Sequence, residues 1–122
     1  MRVAMDGRAF DSPAGGVRRY ATELFAALRR VAPALDIVAI GGTAVPTNLA
    51  HAAAGASLPT NLGWCTTGLP LGARQSGFDV FHAPAYTAPL WGVRPLVVTI
   101  HDVSYARRPE WSPHPGGIGP AR

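Results

Sequence analysis

Short apolar runs and one long amphipathic stretch organise the chain. Residues 2–6 (RVAMD) form an apolar run that opens into a glycine-rich loop, and residues 36–42 (DIVAIGG) form a second run that ends in glycine. Residues 77–84 (GFDVFHAP) and 96–102 (LVVTIHD) form two more. Because the apolar positions are continuous where a half-exposed strand would alternate, these runs predict strands buried on both faces, as in a parallel sheet.

An amphipathic segment, residues 16–33 (GVRRYATELFAALRRVAP), lies between the first two runs. Its apolar residues recur at helical spacing, which predicts a helix with one buried face. Arginines occupy the other face and the C-terminal turn, where the helix dipole favours cations, and Pro33 ends the helix. The predicted buried face consists of Val17, Tyr20, Ala21, Leu24, Leu28 and Val31.

The remaining segments have weaker patterns. Residues 47–56 (TNLAHAAAGA) predict a short alanine-rich helix, and residues 61–68 (NLGWCTTG) predict a short strand. Residues 112–122 (SPHPGGIGPAR) are rich in proline and glycine and predict a disordered tail. The chain as a whole is predicted to be an α/β protein, with a Rossmann-like, doubly wound, mostly parallel sheet in residues 1–111.

Composition narrows the class of partner. All 11 basic residues are arginines, against 7 acidic ones, and the formal net charge is +4. Arginine suits phosphate or carboxylate ligands. The arginines are scattered and form no basic patch interleaved with aromatic residues, so we expect a small anionic ligand and no nucleic acid. Cys65 is the single cysteine, which excludes an intrachain disulfide and fits a reducing compartment.

The chain carries neither of the usual membrane signals. Charges at positions 2, 6 and 8 interrupt the N-terminal residues, which therefore lack the apolar core of a secretory signal. Residues 37–73 contain no charged side chain, but polar residues, glycine and proline interrupt them more often than a span of roughly 20 apolar residues tolerates. We therefore expect a cytoplasmic protein.

The loop before the amphipathic helix is one candidate site. Gly15 and Gly16 would let a ligand approach the backbone closely, and the N–H groups at a helix N-terminus attract phosphate. Arg18 or Arg19 would add positive charge, and Tyr20 follows them. The alternative is a tight turn that only starts the helix.

Two strand ends carry the other candidates. His82 comes at the end of one predicted strand, and His101 with Asp102 at the end of the next. Because ligands of doubly wound sheets bind outside the carboxyl ends of the strands, these residues and the glycine loop should face one crevice. Taken alone, each histidine is more often a structural residue than a ligand contact, and only their common edge favours a site. Their spacing does not match a zinc site, so we expect no metal.

Four motifs in order, MRVAMDGRAF, GGVRRY, FDVFHAPAYTAPL and LVVTIHDVSYARRPEW, resemble the N-terminal domain of family 4 glycosyltransferases, retaining enzymes of the GT-B architecture. The resemblance extends over residues 1–111. It implies two Rossmann-like domains across a cleft, of which the first mainly holds the acceptor and the second the nucleotide-sugar donor. The implied reaction transfers a sugar, with retention, to an acceptor glycan or glycolipid, without metal or other cofactor.

The resemblance also implies roles for individual residues. The implied donor-phosphate loop is Gly15, Gly16 and Arg19, the implied catalytic residues are His101 and Asp102, and the implied acceptor or sugar cleft includes His82 and Tyr20. Asp102 would orient the imidazole of His101 or its loop. Arg18 departs from the family pattern, in which a small residue is common at this position.

The donor-binding domain of the family has no counterpart in these 122 residues. We therefore expect a truncated chain that is inactive alone, with peripheral membrane contact only in a full-length enzyme. A natural truncation, a frame change near Ser112 and an error in the gene model are the alternative causes. One alternative is a non-catalytic α/β module that binds a sugar or nucleotide. Another is a dinucleotide-dependent oxidoreductase, but the chain lacks the G-x-G-x-x-G fingerprint, and Ile40 runs into Gly41 without an acidic residue.

Overall fold

The computed structural model describes residues 1–103, 107 and 108. The strands are β1 (Arg2–Asp6), β2 (Asp36–Ile40), β3 (Ala50–Ala52), β4 (Val80–Ala83) and β5 (Leu96–Val98). The helices are α1 (Gly15–Val31), α2 (Asn61–Gly63) and α3 (Leu69–Ser76), with a 3-10 turn at Gly7–Asp11 and a π-helical turn at Trp64–Gly68 that joins α2 to α3. The tail predicted at residues 112–122 lies outside the described residues.

All five strands belong to one sheet in the order β3-β2-β1-β4-β5, and every neighbouring pair is parallel. Successive side chains of a strand point to opposite faces. The face packed on α3 contains Ala4, Val38, Ile40, Phe81 and Ala83. The face packed on α1 contains Met5, Ile37 and Ala39. The predicted parallel sheet with helices on both faces is therefore confirmed.

The buried face of α1 differs in part from the prediction. Ala21 and Phe25 are the buried residues of the helix, and Val17 and Leu28 pack against the same cluster. Val31, predicted to be buried, is 73% exposed because it is the last residue of the helix and the core stops short of it. The predicted buried face included Leu24 and not Phe25, so the burial of Phe25 was missed.

The two weak predictions in the middle of the chain are wrong. Residues 50–52 form β3, because pairing with β2 outweighs the helix preference of alanine. Residues 61–68 are helical: the hydroxyl of Thr60 accepts a hydrogen bond from the Gly63 N–H at 3.0 Å and caps the helix start. Gly63 packs so closely on the backbone of Leu58 that a side chain there would collide with it.

The last strand was predicted to be buried on both faces, and this is also wrong. Leu96, Val97 and Val98 are 36%, 52% and 39% exposed. Within the described residues, β5 is an edge strand that pairs with β4 alone. Its apolar composition alone could not distinguish this edge position from a central one, because strand order is a tertiary property.

The strand order creates a crevice at the carboxyl ends of β1 and β4. The chain leaves β1 towards β2 and β3, and later returns on the other side of β1 to form β4 and β5. The loops that follow β1 and β4 therefore diverge and leave a crevice at the carboxyl ends of these strands, where doubly wound proteins bind ligands. In the part of the chain that the structure describes, no helix is long and apolar enough to cross a membrane.

Candidate functional site

Four side chains from three segments meet at the carboxyl edge of the sheet, and we call them the Thr99 cluster: Tyr20, His82, Thr99 and His101. The N–H of Thr99 donates to the Ala83 carbonyl at 2.9 Å, which extends the pairing of β5 with β4 by one residue. The Thr99 hydroxyl oxygen lies 2.9 Å from His82 Nε2 and 3.2 Å from the Tyr20 hydroxyl. The sheet edge and α1 therefore meet at one hydroxyl group.

His101 is oriented by backbone and aromatic contacts. Its Nε2 lies 2.7 Å from the Pro84 carbonyl oxygen. A carbonyl only accepts, so Nε2 carries the proton, and in the neutral ring Nδ1 is left as an acceptor. The Tyr20 ring stands edge-on to the imidazole at 4.8 Å between centroids, and Tyr86 approaches it at 6.1 Å. Asp102, the next residue, is exposed.

His82 is half-buried, and burial lowers its pKa from the ordinary value of 6.5. The ring is therefore neutral at pH 7. When Nε2 of His82 accepts the Thr99 proton, the Thr99 oxygen remains free to accept from the Tyr20 hydroxyl. The three groups then form a directed chain of hydrogen bonds from Tyr20 through Thr99 to His82.

A cavity of about 430 Å³ opens beside the cluster at the crevice between β1 and β4. Its walls are formed by residues of the loop after β1 between Asp6 and Ala14, by Val17 and Asn61, and by residues 84–87. Pro84 and Tyr86 connect the cavity to the Thr99 cluster, since both also contact His101. The cavity and the cluster are therefore adjacent, although none of the four side chains of the cluster lines the cavity.

Asp6 and Arg8 form a second polar group in this cavity, which the sequence interpretation did not include. Asp6 is 3% exposed, and its carboxylate accepts from the Arg8 N–H and from the Trp64 indole N–H, each at 3.0 Å. Burial raises the pKa of Asp6, and these two hydrogen bonds oppose the rise. The Arg8 guanidinium carbon lies 4.3 Å from the centre of the Trp64 ring.

The glycine loop lies at the start of α1. Gly15 and Gly16 are exposed, while their neighbours Ala14 and Val17 line the cavity. A Cβ at Gly16 would meet nothing within 4 Å, and one at Gly15 would meet only the end of the Arg18 side chain at 4.0 Å. Packing within the described chain therefore does not require either glycine.

The arginines of this loop point in different ways. Arg18 Nη1 donates to the Ser12 carbonyl at 3.1 Å and so ties α1 to the preceding loop. Arg19 is exposed at the next position of the helix.

Among the described residues, no group of three or more histidine, cysteine, aspartate or glutamate side chains is placed to hold a metal ion.

No family model matches the chain, and no curated protein or solved structure matches it. The likeness to family 4 glycosyltransferases therefore stays a prediction from the four motifs.

We expect Thr99→Val to destabilise the fold by about 1–3 kcal/mol, because it leaves the polar groups of His82 and Tyr20 without their shared partner. Urea unfolding measures the change. The matched control is Thr22→Val, which also removes a hydroxyl hydrogen bond, to the Arg18 carbonyl, but from an exposed position of α1. We expect the control to cost less than about 0.5 kcal/mol. Equal losses in the two variants would contradict a half-buried network at Thr99.

We expect His82 to make the fold less stable as the pH falls below neutrality. Its folded pKa lies below 6.5, so the unfolded state takes up the proton first. Stability due to neutral His82 is therefore complete above the unfolded pKa and is lost as the pH falls through 6.5 towards the folded pKa. In His82→Gln, the free energy of unfolding should fall less than in the wild type between about pH 7.5 and pH 5.5.

Urea unfolding across this pH range measures the difference. The raised pKa of Asp6 acts in the opposite direction, since it favours the folded state at low pH, but it is common to both proteins and cancels in the comparison. Parallel curves for the two proteins would show that His82 does not contribute.

Proposed function

We propose that the chain forms the acceptor-side half of a retaining glycosyltransferase of the GT-B architecture. The observation that carries this proposal is the Thr99 cluster, in which Tyr20, His82 and His101 come together at the edge where doubly wound proteins bind ligands. These are three of the residues that the resemblance associates with the cleft. The adjoining cavity of about 430 Å³ is large enough for a sugar ring.

In this proposal the start of α1 faces the donor diphosphate. Ala14, at the N-cap, has no side-chain acceptor for the first N–H groups of the helix. Such groups stabilise phosphate charge. Gly15 and Gly16, which no packing contact requires, leave this backbone open to close approach by a ligand. Arg19 adds a positive charge on the same end of the helix.

Transfer with retention needs a stabilised leaving group and a fixed sugar ring. The bond between the anomeric carbon and the phosphate oxygen breaks, and its electron pair leaves with the nucleoside diphosphate. The acceptor oxygen bonds to the same face of the sugar, and its proton passes to the departing phosphate. The N–H groups of α1 stabilise the phosphate, while Nδ1 of His101 accepts from a sugar hydroxyl and holds the ring.

The partners are then a nucleotide sugar and an acceptor glycan or glycolipid. Most donor contacts belong to a second domain in this architecture, so we expect binding without turnover by the 122 residues alone. We place the protein in the cytoplasm, where Cys65 stays reduced.

A non-catalytic α/β module that binds a sugar or nucleotide would also bind these ligands without turnover. The DNA downstream of the Ser112 codon separates the two functions. A frame that encodes a donor-binding domain supports the transferase, and the absence of such a domain in every frame supports the module.

We expect uridine diphosphate glucose or guanosine diphosphate mannose to shift the amide resonances of residues around His101 in the ¹⁵N-labelled chain. His101→Ala should weaken this binding by about tenfold, since it removes a hydrogen bond to the sugar. The matched control is His51→Ala. The Nε2 atom of His51 also contacts a backbone carbonyl, that of Gly41, at 3.0 Å, but His51 lies in β3, the edge strand farthest from β5.

The control should bind as the wild type does. The proposal fails if neither nucleotide sugar shifts resonances at Tyr20, His82 or His101, or if His51→Ala weakens binding as much as His101→Ala.

A further inference from the structure

Arg8 stands at a position where a ligand can reach it. It lies in the 3-10 turn directly after β1, and its side chain forms part of the cavity wall. The side chain is 31% exposed, whereas the Asp6 side chain beside it is 4% exposed. The carboxyl end of β1 therefore presents a positive charge to the cavity.

Two contacts fix the guanidinium group before any ligand arrives, and a third holds one of its partners. It stacks on Trp64 at 4.3 Å, and Nη1 donates to Asn61 Oδ1 at 3.3 Å. The indole of Trp64 is itself held by Asp6 through the bond at 3.0 Å. A side chain held in this way loses little further conformational entropy when it binds.

The hydrogen-bonding capacity of Arg8 is largely unused within the described residues. The nearest carboxylate oxygen, Asp6 Oδ1, is 3.9 Å from Nε, beyond hydrogen-bonding distance, and it accepts from the Arg8 backbone N–H instead. Nε is buried without an acceptor. The bond to Asn61 is to a neutral oxygen and uses only one of several N–H donors of the group.

The carboxylates of the cavity wall are occupied by the protein itself. Asp6 accepts from Trp64 and from a backbone N–H. Asp11 accepts from Thr43 and from the Ala44 N–H at distances of 2.6–3.1 Å. Among the described residues of this wall, Arg8 is thus the charged group that can donate to a ligand, through its terminal N–H groups, because Nε is buried.

We propose that Arg8 binds an anionic group, a phosphate or a carboxylate, of the ligand that enters this cavity. A guanidinium group matches the paired oxygens of both groups. The cavity extends from Arg8 to Tyr86, whose ring lies 6.1 Å from that of His101. In the proposed function, the sugar of the same ligand lies at the Tyr86 end, towards His101. The sugar part of this ligand rests on the proposed function, whereas the anion site does not.

The test is a titration of the ¹⁵N-labelled chain with pyrophosphate, glucuronate and neutral glucose at constant ionic strength. The Arg8 Nε–H and Trp64 indole N–H resonances report on the site. Both signals should shift with at least one anion and stay in place with glucose. A response to pyrophosphate alone identifies the donor diphosphate as the natural group, and a response to glucuronate alone identifies a carboxylated sugar.

Arg8→Gln should weaken the binding of that anion at least about tenfold, and Arg8→Lys should weaken it less, because the charge remains but the paired donors are lost. The matched control is Arg29→Gln, an exposed arginine at the far end of α1, which should bind within about twofold of the wild type. If Arg8→Gln does not fold, Arg8→Lys and the two wild-type resonances decide.

The inference is overturned if glucose moves the two signals as far as the anions do, if no anion moves them, or if Arg8→Gln binds as the wild type does. Shifts around His101 with nucleotide sugars but none at Arg8 would refute the anion site and leave the proposed function standing. Shifts at Arg8 with anions but none around His101 with nucleotide sugars would refute the proposed function and leave the anion site standing.

Discussion

Parallel pairing of β1 with strands on both of its sides places the candidate site. Met5 lies opposite Ala39 of β2 on one side and His82 of β4 on the other, and His82 in turn lies opposite Val97 of β5. Because all these strands run in one direction, their carboxyl ends share one edge. Polar residues that follow different strands therefore meet there, however far apart they are in sequence. An antiparallel partner for β1 would have placed His82 away from this edge.

Apart from Arg8 Nε, the buried polar side-chain atoms described at this edge have hydrogen-bond partners. Asp6 is almost completely buried, yet the Trp64 indole and a backbone N–H hydrogen-bond its carboxylate. His82 avoids the cost of a buried charge by staying neutral, and its ring still contacts the Thr99 hydroxyl. A buried polar group without such a partner costs about 1–3 kcal/mol, so these pairings fix the side chains in place.

The central strands and α1 were predictable because their pattern follows directly from burial. A strand covered on both faces must be apolar in its covered part, and the residues between the charged ends of β1 and those after Asp36 in β2 meet this condition. The same argument failed for β5, which has the same composition at an edge. The segment at Ala50 was predicted to be a helix and is a strand, and the segment at Asn61 was predicted to be a strand and is helical. There, pairing with β2 and the Thr60 cap decide the structure, and neither follows from local propensity.

The site was predictable to the extent that it depends on strand ends. His82 and His101 were placed at the correct edge by the rule that ligands bind beyond the carboxyl ends of parallel strands. Thr99 was not, because a threonine in a β-branched run indicates only a strand, and its contacts with Tyr20 and His82 depend on tertiary packing. Asp6 gave the same signal as His101, an ionisable residue that ends a buried strand, but the signal was used only to exclude a secretory leader.

The two halves of the candidate site differ in chemistry, and this difference limits what a ligand can look like. Around His101 the groups are aromatic rings and an imidazole, which suit the faces and hydroxyls of a sugar. Around Arg8 the available groups are donors, because Asp6 and Asp11 are committed to protein N–H groups. A neutral sugar alone would satisfy the first half and leave the second unpaired, and a simple anion would do the opposite. Under the two proposals, a ligand that uses both halves of the candidate site combines a sugar ring with an anionic group.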